Sequence, residues 1–109
     1  MLFDHFVRFP LNLNIQSSLG NQARILKDWG RLKEAMDLHK QEEKICRELK
    51  NLNGLATSLA NQALLLSQKM GKYKEALPLA EEAVRIFKKV NPSMVQKGEQ
   101  ILNFVKSNL

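Results

Sequence analysis

The chain has 109 residues, a net charge of +6 and one cysteine, with 44% hydrophobic and 26% charged residues. That describes one small domain or a piece of a longer array, with the composition of an ordinary soluble protein and enough chain for a modest core. The lone Cys46 excludes an intrachain disulfide and fits a reducing compartment, and no apolar run approaches the ~20 residues that span a bilayer. The first ten residues carry Asp4, His5 and Arg8 and so lack the apolar region of a secretory signal. The expected location is cytoplasmic.

Residues 1–14 form an N-terminal segment. Phe3, Phe6, Val7 and Phe9 fit one or two turns of helix with an apolar face. Leu11–Ser18 resembles Asn51–Ser58 in polar–apolar order, as the end of a preceding repeat would.

A first helix is predicted over 15–29. Its stripe is Ile15, Leu19, Ala23 and Leu26, at steps of four, four and three, with Asn14 as N-cap and Gly30 closing it. A second helix over 32–50 carries Leu32, Ala35, Met36, His39, Ile45, Cys46 and Leu49, with a gap at Glu42. Asn51, Asn53 and Gly54 make the break after it. A third helix over 55–70 repeats the first stripe as Leu55, Leu59, Ala63, Leu66 and Met70, stopped by Gly71. Ala56, Ala60, Leu64 and Leu65 widen its apolar surface, as expected of a helix flanked on several sides.

A fourth helix over 73–90 turns Tyr73, Ala76, Leu77, Ala80, Ala83, Val84, Phe87 and Val90 inward. Its Pro78 removes one helical hydrogen bond, which predicts a kink or a loosened first turn rather than a break. Beyond Asn91-Pro92-Ser93 a last helix over 93–107 carries lysines and Glu99, which suit an end cap with one wet face.

Two stretches recur. Ser18–Leu26 returns as Ser58–Leu66 with six of nine positions identical, at an offset of 40. Gly30–Leu38 returns as Gly71–Leu79 with five of nine identical, at an offset of 41. The extra residue falls just before the glycine, and insertions collect in turns, so a turn is expected there. A fixed period in this range marks a stacked repeat architecture.

These residues resemble the tetratricopeptide repeat. The family pairs two antiparallel helices, with small residues at the crossings and a glycine between them. Ala23 and Ala63 match the small residue of the first helix, Gly30 and Gly71 the turn glycine, and Ala35 and Ala76 the small residue of the second helix. Glu34 and Glu75 match the glutamate that commonly precedes that last position. The period is longer than the usual value of about 34. It is similar to the longer repeats of kinesin light chains, spindle-orientation adaptors and bacterial signalling ATPases. The sequence departs from the pattern at Leu26 and Leu66, where a bulky aromatic is common, and in having a proline only at Pro92, after the second repeat. The resemblance implies an all-α, antiparallel helix-pair α-solenoid: repeats over 15–53 and 54–91, and a capping helix over 92–109.

No constellation for chemistry emerges. His5 and His39 stand far apart, Cys46 is alone, and no metal-ligand spacing exists; no cofactor is implied. His39 sits on the packing face of its helix and reads as structural, and Cys46 as a small hydrophobe. Glu42-Glu43 and Glu81-Glu82 are sequence neighbours that point different ways on a helix and read as solvated. Trp29 reads as a lid over the core at the first turn. Nothing points to an enzyme.

The resemblance implies a non-catalytic protein–protein interaction module. Its groove lies along the successive first helices and takes a peptide or a partner helix. That geometry assigns Ser17, Asn21, Arg24, Lys27 and Asp28 from the first repeat, and Thr57, Asn61, Leu64, Ser67 and Gln68 from the second. Arg24 and Asp28, one turn apart, are expected to pair, leaving Lys27 for an acidic group of the partner, with Leu64 as an apolar anchor. The partner expected is a protein or peptide with acidic and apolar residues. Self-association through the N-terminal end is a second expectation. The basic balance leaves a nucleic acid or acidic surface as an alternative, although the longest basic run is Lys88-Lys89 and Phe3, Phe6, Phe9 and Trp29 gather in the first third, away from interleaved bases. A repeat fragment of a signalling ATPase is the other alternative.

Overall fold

The computed structural model describes the backbone of residues 12–109 and the side chains of residues 19–109. Phe3, Phe6 and Phe9, the segment over 1–11 and the side chain of Ser17 lie outside the described residues. Among the described residues five α-helices follow one another: α1 (Asn12–Asp28), α2 (Leu32–Leu49), α3 (Leu52–Leu64), α4 (Tyr73–Val90) and α5 (Val95–Ser107). A π-helical turn, Leu65–Lys69, extends α3, and a 3-10 turn, Pro92–Met94, leads into α5. There is no strand among the described residues. Each helix packs on the next, and α5 also reaches α3, so the pairs α1/α2 and α3/α4 stack and α5 covers the end.

Small residues let the helices approach. Ala23, Ala35, Ala63 and Ala76 are all 0% exposed. Around them close Leu59, Leu65, Phe87, Ile101 and Val105, in one continuous core. The capping helix α5 buries Gly98, Ile101 and Val105 while Gln96, Lys97, Glu99, Gln100 and Asn103 face water. The chain is unbroken at Pro78, which lies inside α4.

The turns explain themselves from hydrogen bonding. Gly30, at φ 80°, closes α1: its N–H donates to the Lys27 carbonyl (2.9 Å) and that of Arg31 to Leu26 (2.8 Å). This is the six-to-one and five-to-two pairing that satisfies the last carbonyls of a helix. Between α2 and α3 the same pairing occurs, but Lys50 supplies the left-handed residue, at φ 56°. Gly54, expected in that break, instead lies inside α3. Asn51 is the cap, its Oδ1 accepting the Gly54 N–H at 3.0 Å, so α3 starts three residues earlier than the apolar stripe suggests. Asn14, expected as a cap, likewise lies within α1.

The inserted residue of the second repeat is not in the turn. It is absorbed by the π-helical turn Leu65–Lys69, where a wider ring accommodates one extra residue within the helix. Ser67 Oγ donates to the Ala63 carbonyl, one turn back on the same helix, at 2.7 Å. Two other expectations are overturned. Trp29 is 70% exposed and covers no core. Glu42 is buried, 7% exposed, with a carboxylate oxygen over Gly20 where a Cβ would stand only 2.6 Å away. The gap in the α2 stripe is therefore a carboxylate packed against a glycine.

Candidate functional site

The first helices of each pair and the capping helix share one side of the stack. There, two shallow clefts join. One, of about 30 Å³, is lined by Arg24 and Lys27 of α1, His39 of α2, and Asn61, Leu64 and Gln68. The other, of about 220 Å³, is lined by Leu64, Gln68, Lys97, Gln100, Ile101 and Phe104. Leu64 and Gln68 belong to both, so the clefts form one groove running from α1 across α3 to α5.

Of the residues predicted for this groove, the structure brings Arg24, Lys27, Asn61, Leu64 and Gln68 together. Asn21 and Asp28 are exposed on α1 but line neither cleft. Thr57 Oγ1 donates to the Asn53 carbonyl at 2.9 Å and so serves its own helix. Ser67 is 1% exposed and likewise bonds its own helix, which removes it from the surface. No ion pair joins Arg24 to Asp28 among the described residues. The α5 residues Lys97, Gln100 and Phe104 are additions. Phe104 is held edge-on by Tyr73, ring centroids 6.3 Å apart. The signal for them lies in the sequence: at an offset of 42, Ile101-Leu102-Asn103 overlies Leu59-Ala60-Asn61, and a helix that overlies the first helix of a repeat also shares its groove.

The electrostatics of the lining are one-sided. Arg24, Lys27 and Lys97 contribute cations, Asn61, Gln68 and Gln100 contribute amides, and neither cleft is lined by a carboxylate. Amides can both donate to and accept from an extended backbone.

A larger groove, of about 650 Å³, opens on the opposite side between α2 and α4, with Met36, Leu66 and Leu79 at its apolar floor. Arg47 crosses it, bonding Glu43 on its own helix at 3.0 Å and Glu82 on α4 at 3.1 Å. This groove was not read from the sequence, because nothing local links α2 to residues 35 positions away. It carries charges of both signs, of which Arg47 and Glu43 pair with one another.

The buried polar residues of α2 form a structural set. His39 Nδ1 lies 3.2 Å from Glu42 Oε1, with both side chains nearly closed to water. The His39 carbonyl accepts from Ser58 Oγ at 2.8 Å. Burial, and secondarily the Glu42 charge, pushes the Cys46 thiol up to about 11. At neutral pH it is a thiol, not the thiolate that nucleophilic chemistry requires. No group of three or more His, Cys, Asp or Glu among the described residues is placed to hold a metal ion. No helix of the described residues is long and apolar enough to cross a membrane.

The sequence model of one protein family, described as tetratricopeptide repeat, matches residues 13–89. No curated protein matches the chain.

Proposed function

The chain belongs to the tetratricopeptide repeat family, and from that premise we propose that it binds a peptide or partner helix in the groove along α1, α3 and α5, without catalysis. The family is one of protein–protein interaction modules, so partners that are proteins are the premise; the groove and the character of its ligand are the proposal. The observation that carries it is the lining: three cations, three amides and the apolar patch of Leu64, Ile101 and Phe104, with no carboxylate. Such a surface favours a segment with acidic residues spaced around an apolar side chain. The apolar contact would supply most of the affinity, and the cations would steer approach and register.

Selection from a random peptide display library tests this. Binders should be enriched in Asp or Glu together with Leu, Ile or Phe. The folded variant Arg24→Glu/Asn61→Ala/Lys97→Glu should lose them by tenfold or more, about 1.4 kcal/mol. Peptides that bind the variant as tightly as the parent would place the site elsewhere. A single-stranded oligonucleotide serves as the competing probe; tighter binding to it, with a steep salt dependence, would favour nucleic acid instead.

A further inference from the structure

The buried polar set of α2 has one open position. His39 is 3% exposed, and its ring is held at one nitrogen: Nδ1 lies 3.2 Å from Glu42 Oε1 and is the only ring atom bonded among the described residues. With the carboxylate accepting, Nδ1 carries the hydrogen, which leaves the lone pair of Nε2. No side-chain nitrogen or oxygen of the described residues is both sealed from solvent and without a hydrogen-bond partner. Nε2 is therefore not sealed, and the cleft that His39 lines with Arg24, Lys27, Asn61 and Gln68 gives it an opening. The backbone is pinned as well, since the His39 carbonyl accepts from Ser58 Oγ across the helix crossing at 2.8 Å. That cleft, of about 30 Å³, exceeds the ~10–15 Å³ that one water needs, so it has room for a group as small as a carboxylate.

We propose that His39 is a ligand-binding residue of the groove, donating from Nε2 to a side-chain carboxylate of the partner and taking up one proton as it does so. The proposal rests on the groove being the binding site. The ring is set between charges of both signs. From α2, Glu42 faces Nδ1, with the Cys46 thiol one turn beyond it. From α1, Arg24 and Lys27 share the cleft, while α3 and its extension present the neutral Ser58, Asn61, Gln62 and Gln68. A carboxylate docked there offsets the two cations and supplies an acceptor for an Nε2–H, and both effects favour the protonated ring over the neutral one. The occupied groove thus holds more protons than the empty one, so affinity rises as pH falls, at most about tenfold per pH unit for one proton. The window is roughly pH 5 to 8, where imidazoles change charge and carboxylates stay ionised.

The probe is a capped hexapeptide that alternates aspartate and leucine, titrated into the full chain by calorimetry in two buffers of different ionisation enthalpy. Binding should be about tenfold tighter near pH 6 than near pH 8, with uptake approaching one proton per peptide. In the His5→Gln chain His39 is the only histidine, so its ring nitrogen NMR signals report it directly even if variants at 39 fail to fold. Nε2 should pass to the protonated form as peptide is added near neutral pH. The folded His39→Gln chain should bind equally at both pH values. Ring signals unmoved at saturation, or binding without proton uptake, would overturn the proposal; if Arg24→Glu/Lys97→Glu still abolishes that binding, the groove stands without His39. Uptake that persists in the folded His39→Gln chain overturns it too. So does equal, pH-independent binding of an asparagine–leucine peptide, which would mean that Nε2 accepts an amide N–H. No saturable binding up to about 5 mM, or binding indifferent to Arg24→Glu/Lys97→Glu, would overturn the groove reading and this proposal with it.

Discussion

The two helix pairs share a fold but not an interior. In α4 the inward stripe is Ala76, Ala80, Ala83 and Phe87, all at most 1% exposed. At an offset of 41, the same stripe in α2 is Ala35, His39, Glu42 and Cys46. An apolar wall in the second repeat is thus a polar ledge in the first, and the opposing helix has adapted: Gly20 faces Glu42 where Ala60 occupies the matching position. A repeat geometry is therefore compatible with quite different chemistry, provided that volume is exchanged across the crossing. It also predicts which pair carries more stability. Apolar burial is favourable at any pH, whereas a buried carboxylate contributes only when its hydrogen-bonding partners compensate its desolvation.

The widest expected difference lies at the end of the stripe. Phe87 is fully buried, and Phe87→Ala should cost ~3–5 kcal/mol through lost transfer energy and the cavity left behind. Its counterpart Cys46→Ala removes a single sulfur and should cost about 1 kcal/mol, near the value of one buried methylene. Urea unfolding of both variants checks the ratio. Equal costs would show that the two pairs share the core evenly and would break the comparison.

The same cysteine has a pH dependence that its counterpart Phe87 cannot have. Folding raises the Cys46 thiol from its ordinary value of 9.0 to about 11, mostly by burial and then by Glu42. Below the unfolded value both states are protonated and the stabilisation is fully present. As pH rises from about 9 to about 11 the unfolded chain loses the proton first, so stability falls, by about 2 kcal/mol over the window. The quantity to measure is the difference between the parent and Cys46→Ala. The parent should be the more stable at pH 7 and the less stable at pH 11. A difference that stays flat with pH would mean that the thiolate is tolerated where the structure buries it.

The crossing itself comes next. Gly20→Ala drives a Cβ into the Glu42 carboxylate and should cost ~1–2 kcal/mol. Gly20→Ala/Glu42→Ala rebuilds the Ala60–Ala83 arrangement of the second repeat and should recover that loss. The cycle then gives a coupling of at least ~0.5 kcal/mol, measured by thermal or urea unfolding. Additive effects would mean that the carboxylate swings away at little cost.

These contrasts also mark what was legible in the sequence. Among the described residues, helix number, order and pairing followed from apolar steps of three and four, and Gly30 and Gly71 fixed both turns within the pairs. Five of the ten predicted groove residues line one cleft because a helical period places them on one face. The failures have a common physical cause: they depend on what a distant helix offers. Glu42 looked like a gap because its partner is a missing side chain, Gly20, 22 positions earlier. Trp29 looked like a lid because a large apolar residue beside a turn usually has something to cover. Ser67 looked like groove surface until an extra residue turned it inward through a π-helical turn, which no apolar stripe records.

The smallest effect concerns how each pair hands the chain on. The second pair leaves through Asn91, in extended backbone at φ −152°, and a 3-10 turn beginning at Pro92. The first pair leaves through Lys50, held at φ 56° and ψ 33°, a conformation in which a Cβ crowds the following carbonyl. That costs ~1–2 kcal/mol for a residue with a side chain, whereas glycine adopts it freely at an entropic cost of ~0.5–1 kcal/mol. Lys50→Gly should therefore stabilise the chain by ~0.5–1 kcal/mol, since Lys50 is exposed and makes no side-chain bond that would be lost. Asn91→Gly should move the opposite way. Its backbone gains nothing from glycine, and its side chain donates to Asn53 Oδ1 at 2.8 Å, tying the two junctions together. Urea midpoints shifting in opposite directions would confirm that the junctions differ in backbone strain. A destabilised Lys50→Gly would show instead that the left-handed residue is not under strain, and that the hydrogen bonds from Lys50 and Asn51 to the end of α2 alone define the turn.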